Sequence, residues 1–153
     1  MNYSKTVTID APLSEVWQLV GEIEVVAGCI PGLSDYEATG PNQFHCLITQ
    51  AIGPVMARFL MHTTIETATS EHTVTVTSDG SDAALASRVR TRQRFEMEPD
   101  GERTLVNVSA DVRPNGRIAS IGSRIVLMKA EDIVTKTLTN LNRFLQERRE
   151  DSN

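Results

Sequence analysis

The C-terminal stretch GRIASIGSRIVLMKAEDIVTKTLTNLNRFLQERRE, residues 116–150, decides the fold. It contains no proline, and after Gly116 its only glycine is Gly122. Apolar side chains recur at the three-to-four spacing of one helical face. They are Ile118, Ile121, Ile125, Met128, Val134, Leu138, Leu141 and Leu145. This pattern predicts one long helix with a single face to bury, in which Gly122 permits a bend.

The chain before this helix has the period-two pattern of strands. Residues 3–10 alternate polar with apolar or β-branched side chains, which predicts a first half-buried strand. From Ser34 to about Val112 the same alternation is interrupted at turn-forming residues, which predicts about six further strands joined by hairpins. The predicted turns are Gly40–Asn42, Gly53–Pro54, Ser70–Glu71, Ser78–Gly80 and Pro99–Gly101.

Two short helices are predicted between the first strand and the hairpins. Asp10 is placed to cap the first of them, and Pro12 suits its first turn. Residues 24–30 predict the second, ended by Pro31 and Gly32. A sheet of about seven strands must cover its inner face, and only the long helix is large enough. We therefore expect an α+β fold: a curved antiparallel sheet around a long C-terminal helix, as one domain of residues 1–148 with a charged tail at residues 149–153.

Composition excludes several classes of protein. The 153 residues, 40% hydrophobic and 23% charged, are typical of one globular domain. No apolar run approaches the roughly 18 residues of a membrane-spanning helix, and the N-terminus lacks a signal pattern, so we expect a cytoplasmic protein. A net charge of −5 disfavours nucleic-acid binding. Two cysteines, Cys29 and Cys46, predict neither a disulfide framework nor a metal cluster.

A pocket between sheet and helix is the expected ligand site, because a curved sheet and a long helix cannot pack closely along their whole length. Its candidate lining is apolar and flexible, which suits an elongated apolar molecule. The candidates are Trp17, Ile30, Phe44, Phe59, Met61, Phe95, Ile121, Ile125 and Met128. The alternative is that these side chains simply fill the core. Thr63, Thr91 and Gln93 share the inward parity and either orient a ligand's carbonyl or hydroxyl group or bond to each other or to water.

No set of residues predicts catalysis or metal binding. His45 and Cys46 are neighbours on a strand, so their side chains point to opposite faces and cannot act as a base and nucleophile pair. His62 and His72 have no cysteine or carboxylate at metal-ligand spacing. We therefore predict no catalytic residue, no metal and no cofactor.

The stretch RVRTRQR, residues 88–94, places Arg88, Arg90, Arg92 and Arg94 on one face of a strand. Burying four unpaired guanidinium groups would be prohibitively costly, so this face is outward. Asp111 on the next strand and Glu66 on a more distant one are the expected acidic partners. These acids are fewer than the arginines. The surplus charge either stays solvated or docks an anionic partner or anionic lipid headgroups.

Four segments carry a resemblance to a known family. Ala11-Pro-Leu-Ser-Glu-Val-Trp17 resembles the A-P-x-x-x-V-W opening shared across START-like (SRPBCC) helix-grip proteins. Ala27-Gly-Cys-Ile-Pro-Gly32, Ile52-Gly-Pro-Val55 with Arg58-Phe59, and Gly116-Arg-Ile-Ala-Ser-Ile-Gly-Ser-Arg124 are more specific. Together they resemble the CoxG-like family of carbon monoxide dehydrogenase proteins over nearly the whole chain.

The resemblance implies a non-catalytic accessory protein that binds a quinone- or lipid-like molecule in a hydrophobic cavity. It implies a molybdenum-containing hydroxylase as partner, which the protein helps to reach the membrane or its electron acceptor. Some relatives carry a membrane-attaching extension; this sequence ends at Asn153, so any contact with the inner face of the cell membrane is expected to be peripheral. The alternatives are a START-like cyclase, hydratase or lyase acting on a small hydrophobic or aromatic metabolite in the same cavity, and a simple carrier.

Overall fold

The computed structural model describes residues 1–152. Within them, seven strands and three α-helices follow in the order β1 (Asn2–Ile9), α1 (Leu13–Val20), α2 (Ile23–Cys29), β2 (Leu33–Gly40), β3 (Gln43–Ile52), β4 (Val55–Ala68), β5 (Thr73–Asp82), β6 (Ser87–Asp100), β7 (Arg103–Gly116) and α3 (Ser123–Ser152). Short 3₁₀ turns, Thr69–Glu71 and Arg117–Ile121, connect β4 to β5 and β7 to α3. The predicted α+β architecture is confirmed.

The strands form one antiparallel sheet in the order β1-β7-β6-β5-β4-β3-β2. From β2 to β7 every pair of consecutive strands is a hairpin, and β1 pairs with β7 at the opposite edge. Antiparallel neighbours need only short connections, which is why the turn signals in the sequence divide the strands so clearly. Helix α3 contacts β1 and β7 on the inner face of the sheet, and it also contacts α2 and β3.

The connections agree with the predicted turns at four positions and differ at one. Gly53 and Pro54 form a two-residue turn between the paired residues Ile52 and Val55, and Gly53 has the positive φ of 56° that favours glycine there. The prediction of a turn at Ser78–Gly80 is wrong, because these residues lie inside β5. Gly80 faces inward, where a Cβ atom would overlap the sulfur of Met61. This glycine marks a close approach of another side chain to a strand and not a turn.

The N-terminal end of α3 differs from the continuous helix predicted. Residues 117–121 form the 3₁₀ turn, Gly122 has a φ of 123°, and the α-helix begins at Ser123. Val126 is consequently the side chain of the first turns that is buried. Ile125 and Met128, placed on the buried stripe by their spacing, are 41% and 60% exposed.

The predicted cap of α1 by Asp10 is wrong. The residue before the helix is Pro12, and no side chain caps the helix there. Asp10 instead forms an ion pair with Arg103 at 3.5 Å, and its backbone N–H donates to the side chain of Asn142 on α3. The chain leaving β1 is thus held against the C-terminal half of α3.

The C-terminal residues continue α3 beyond the predicted domain boundary. Arg148 and Arg149 form ion pairs with Glu22 and Glu15, each at 3.0 Å. Residues 149–152 of the expected tail therefore belong to the helix, and Asn153 lies outside the described residues. Among residues 1–152, no helix is both long enough and apolar enough to cross a membrane.

Candidate functional site

Helix α3 covers only one side of the inner face of the sheet. On β7, beneath α3, Val106, Val108 and Val112 are at most 2% exposed. On β4, β5 and β6 the inward-facing Ile65, Val76 and Phe95 are only half-buried. An apolar side chain that faces a helix but keeps access to solvent lies beside a gap in the packing. The inner face of β4 to β6 is therefore an apolar surface that the helix leaves partly open.

The twelve predicted ligand-binding residues fall into three groups by burial. Phe59 and Met61 are buried, while Ile125 and Met128 are exposed at the N-terminal end of α3. The other eight are half-buried: Trp17, Ile30, Phe44, Thr63, Thr91, Gln93, Phe95 and Ile121. Most of the predicted lining is thus neither closed core nor free surface.

These residues are spread along the inner face. Trp17 packs edge-on against His72 with ring centroids 5.2 Å apart, where β4 joins β5. Ile121 and Ile125 lie near Gly53, where β3 joins β4. The strand joining these two ends, β4, has 14 residues and is about 45 Å long by strand rise. A small ligand could contact one end or the middle of this face, and only an elongated one could extend along it.

The inward polar side chains include one that the sequence did not single out. Thr63 forms a hydrogen bond of 2.9 Å with Ser78, so this pair satisfies itself. Tyr3 on β1 is buried, and its hydroxyl oxygen has no hydrogen-bond partner among residues 1–152. Burial, with a smaller contribution from the charge of Glu131, raises the pKa of Tyr3 to about 12, so the phenol stays a hydrogen-bond donor at neutral pH. Its inward parity with Ile9 on β1 was the available signal.

No arrangement of activated nucleophile and base is found in the described part of the chain. Burial raises the pKa of the Cys29 and Cys46 thiols, so both stay protonated at neutral pH. His45 contacts His62 on the outer face, with ring centroids 4.0 Å apart, and so lies on the opposite face from Cys46. Across residues 1–152, no three His, Cys, Asp or Glu side chains are grouped to hold a metal ion.

The arginines of β6 lie on the outer face, as their parity predicts. Asp79 pairs with Arg88 at 2.9 Å and approaches Arg90 at 3.8 Å. Arg94 pairs with Glu96 at 2.7 Å. Arg92 forms no ion pair with any described residue, although its cross-strand neighbour is Asp111.

The expected partner Asp111 is occupied by other cations. Its carboxylate accepts a hydrogen bond of 2.7 Å from Arg113 and one of 3.4 Å from the N-terminal amine. The hydrogen bond from Arg113 is the main cause that lowers the pKa of Asp111. Glu66, the other expected partner, forms no ion pair within residues 1–152. The acid that does compensate the arginines, Asp79, lies in the segment predicted to be a turn.

Two surface depressions lie away from the half-open inner face. The larger, about 510 Å³, is on the outer face and is lined mainly by polar side chains that include Arg90, Arg92 and Arg113. The smaller, about 370 Å³, is at the turn between β5 and β6. Of the predicted ligand-binding residues, only Thr91 borders either depression.

Comparison with known proteins agrees with this architecture. The family model of the carbon monoxide dehydrogenase protein CoxG matches residues 6–146. Among curated proteins, none matches the sequence significantly.

Solved structures share the fold at low sequence identity. A conserved protein from Geobacillus kaustophilus has a TM-score of 0.87 at 15% identity, with 96% of each chain covered. The aromatase/cyclase Zhui from Streptomyces sp. R1128 has a TM-score of 0.71 at 12% identity, covering 97% of this chain and 94% of Zhui. A START superfamily protein from Mycobacterium smegmatis has a TM-score of 0.66 at 20% identity, with 99% of each covered. At these identities the likeness establishes the START-like fold alone.

Proposed function

Because the chain belongs to the CoxG family of carbon monoxide dehydrogenase proteins, we propose that it is a non-catalytic accessory protein that binds an apolar, quinone- or lipid-like molecule. The ligand lies between α3 and the inner face of β4 to β6. The protein serves a molybdenum-containing hydroxylase, such as carbon monoxide dehydrogenase, by coupling it to the membrane or to its electron acceptor. Family and fold support a ligand-binding accessory role in general; the ligand class and the partner are the proposal.

The observation that carries the ligand proposal is the half-open inner face. Ile65, Val76 and Phe95 lie on three adjacent strands and all face the helix side, yet none is fully buried. Apolar area left accessible to water costs about 25 cal/mol per Å² relative to burial. An apolar molecule that covers these side chains recovers that free energy, and its elongated shape would match the length of the strands.

The ligand proposal is tested by filling this surface. We expect Val76→Phe, on the inner face of β5, to reduce the affinity for the soluble naphthoquinone menadione by roughly tenfold or more, because the larger side chain occupies the ligand's volume. Thr77→Phe is the matched control, since Thr77 is the next residue on the same strand and is exposed on the outer face. Isothermal titration calorimetry measures both, and circular dichroism verifies that each variant folds.

Two results would contradict the ligand proposal. One is that the wild-type protein binds neither menadione nor a fatty acid, and the other is that Val76→Phe and Thr77→Phe bind equally well. Mass spectrometry of molecules extracted from gently purified protein gives an independent test. A quinone or lipid supports the proposal, whereas a small aromatic metabolite would favour the cyclase-type enzyme.

The arginine face of β6, composed of Arg88, Arg90, Arg92 and Arg94, is the proposed docking surface for the partner enzyme. Arg92 has no ion pair with any residue from 1 to 152, and Arg90 shares Asp79 with Arg88 at the longer distance. Both line the depression of about 510 Å³ on the outer face, which therefore has cationic groups available to an acidic protein surface.

Charge reversal tests this docking surface. We expect Arg90→Glu together with Arg92→Glu to abolish co-purification with the hydroxylase, and we expect the wild-type association to weaken as salt increases. Arg117→Glu with Arg143→Glu is the control of equal charge change, because both arginines are exposed and lie outside β6. Unchanged co-purification of the β6 variant would show that this face is not the dock.

A further inference from the structure

Tyr3 is an unusual residue on an otherwise apolar inner face. Its side chain is buried to nine-tenths, with 9% exposure, and its hydroxyl has no hydrogen-bond partner within residues 1–152. A buried hydroxyl without a partner lowers stability, and phenylalanine would fill the same space without that cost. The hydroxyl therefore needs an explanation beyond packing.

The register of the sheet brings Tyr3 into one row with a second polar group. Tyr3 on β1 is opposite Ala110 on β7, and Ala110 is opposite Gln93 on β6. Tyr3 and Gln93 are thus two strands apart, about 10 Å between backbones, with only a methyl side chain between them. Thr91 lies two residues before Gln93 on the same face.

The side chains of Gln93 and Thr91 also have unused hydrogen-bonding capacity. Both are half-buried, and neither makes a side-chain hydrogen bond to another residue of the described chain. Thr63, by contrast, is paired with Ser78. We call Tyr3, Thr91 and Gln93 the polar patch. It adjoins Val76, which is directly opposite Gln93 on β5, and Phe95, which follows on β6.

We propose that the polar patch binds the polar head of the ligand, with the Tyr3 hydroxyl donating a hydrogen bond to a carbonyl oxygen. This inference rests on the proposed function, and it narrows the ligand class to apolar molecules that carry an acceptor oxygen on a ring at one end. The apolar part of the ligand lies on Val76, Phe95 and Ile65. Pure hydrocarbons leave the hydroxyl unsatisfied and bind more weakly, because a site built for hydrogen bonding discriminates against analogues that lack the partner atom.

The raised pKa of Tyr3 is consistent with this role. With a pKa of about 12, caused first by burial and then by the charge of Glu131, the phenol holds its proton throughout the neutral range. Glu131 itself is 3.7 Å from the ammonium group of Lys5, so an opposing charge lies beside it. Tyr3 therefore acts as a neutral donor, which suits a carbonyl better than a cation.

The test compares two probes that differ only in their oxygens. Menadione and methylnaphthalene share the fused rings and the methyl group, and only menadione has carbonyl acceptors. For the wild-type protein we expect tighter binding of menadione. For Tyr3→Phe we expect menadione affinity to fall about tenfold, the loss of one hydrogen bond, with methylnaphthalene affinity unchanged. Because the orphan hydroxyl is removed, the urea midpoint of Tyr3→Phe should equal or exceed that of the wild type.

Tyr36→Phe is the matched control, since Tyr36 is the only other tyrosine in the sequence and stacks on Phe44 away from the polar patch. It should leave the preference for menadione intact. If Tyr3→Phe keeps that preference, or lowers the urea midpoint without changing it, the hydroxyl has a structural partner and the polar patch is refuted while the proposed function stands. If the wild type binds neither probe, the proposed function itself fails, and this inference with it.

Discussion

Replacing Gly116 by alanine should disrupt the connection between the sheet and α3. Gly116 ends β7 with φ 81° and ψ −150°, a backbone conformation that is essentially restricted to glycine. A Cβ atom there would overlap the backbone carbonyl oxygen of Ala86 in the turn between β5 and β6. Backbone atoms cannot rotate away as a flexible side chain can, so one of the two segments has to move.

The cost follows from what that movement breaks. The strained conformation alone costs about 1–3 kcal/mol. The same junction is held by a 3.3 Å hydrogen bond from the Arg117 N–H to the Ala86 carbonyl and a buried 2.8 Å hydrogen bond from the Ile118 N–H to the Ser87 hydroxyl. Each contributes about 1 kcal/mol. We expect Gly116→Ala to lower the free energy of unfolding by about 3–5 kcal/mol.

Urea denaturation followed by circular dichroism measures this change. With a slope of about 2 kcal/mol per M, the midpoint should fall by roughly 2 M. Two controls separate the causes. Gly101→Ala has a similar positive φ of 62° but nothing within 4 Å of the added methyl, so it should cost only about 1–2 kcal/mol. Gly28→Ala in helix α2 meets neither problem and should be neutral or slightly stabilising. The reasoning is refuted if Gly116→Ala is no worse than Gly101→Ala.

Two further predictions concern buried hydroxyl groups. The raised pKa of Tyr3, about 12 in the folded protein against about 10 when unfolded, means that the folded state keeps its proton longer; stability is complete below pH 10 and should fall by about 3 kcal/mol up to pH 12, a loss that Tyr3→Phe should not show in urea titrations across this range. Thr104 is fully buried and donates a hydrogen bond of 2.8 Å to the Ala11 carbonyl, so Thr104→Val should cost about 1–3 kcal/mol by urea denaturation, and a change within 0.5 kcal/mol, the usual size for a surface substitution, would contradict that role.

The turn predictions show where local sequence is sufficient. Gly53–Pro54 was recognised as a turn because the requirement for positive φ is a property of the residue itself. Ser78–Gly80 has turn-forming residues as well, yet it lies in a strand because Gly80 makes room for Met61 of β4. Two glycines with different causes look alike when only neighbouring residues are considered.

The same error concealed the ion pairs of the arginine face. Alternation correctly placed Arg88, Arg90, Arg92 and Arg94 outward. Their acidic partner was expected on β7 at Asp111, whereas the compensating acid is Asp79 on β5. Asp111 is held by Arg113 and the N-terminal amine, which only the pairing of β1 with β7 brings together.

The sequence by itself determined the elements of this protein and the inward face of each, because burial patterns of period two and three-to-four arise from local backbone geometry. The tertiary structure decided how the long helix lies on the sheet. Because α3 rests on β1 and β7, Val108 is closed core while Phe95, of the same inward parity, stays half-open. It also decided that the Tyr3 hydroxyl has no partner within residues 1–152. Both depend on the distance between segments remote in the chain, which no local pattern records.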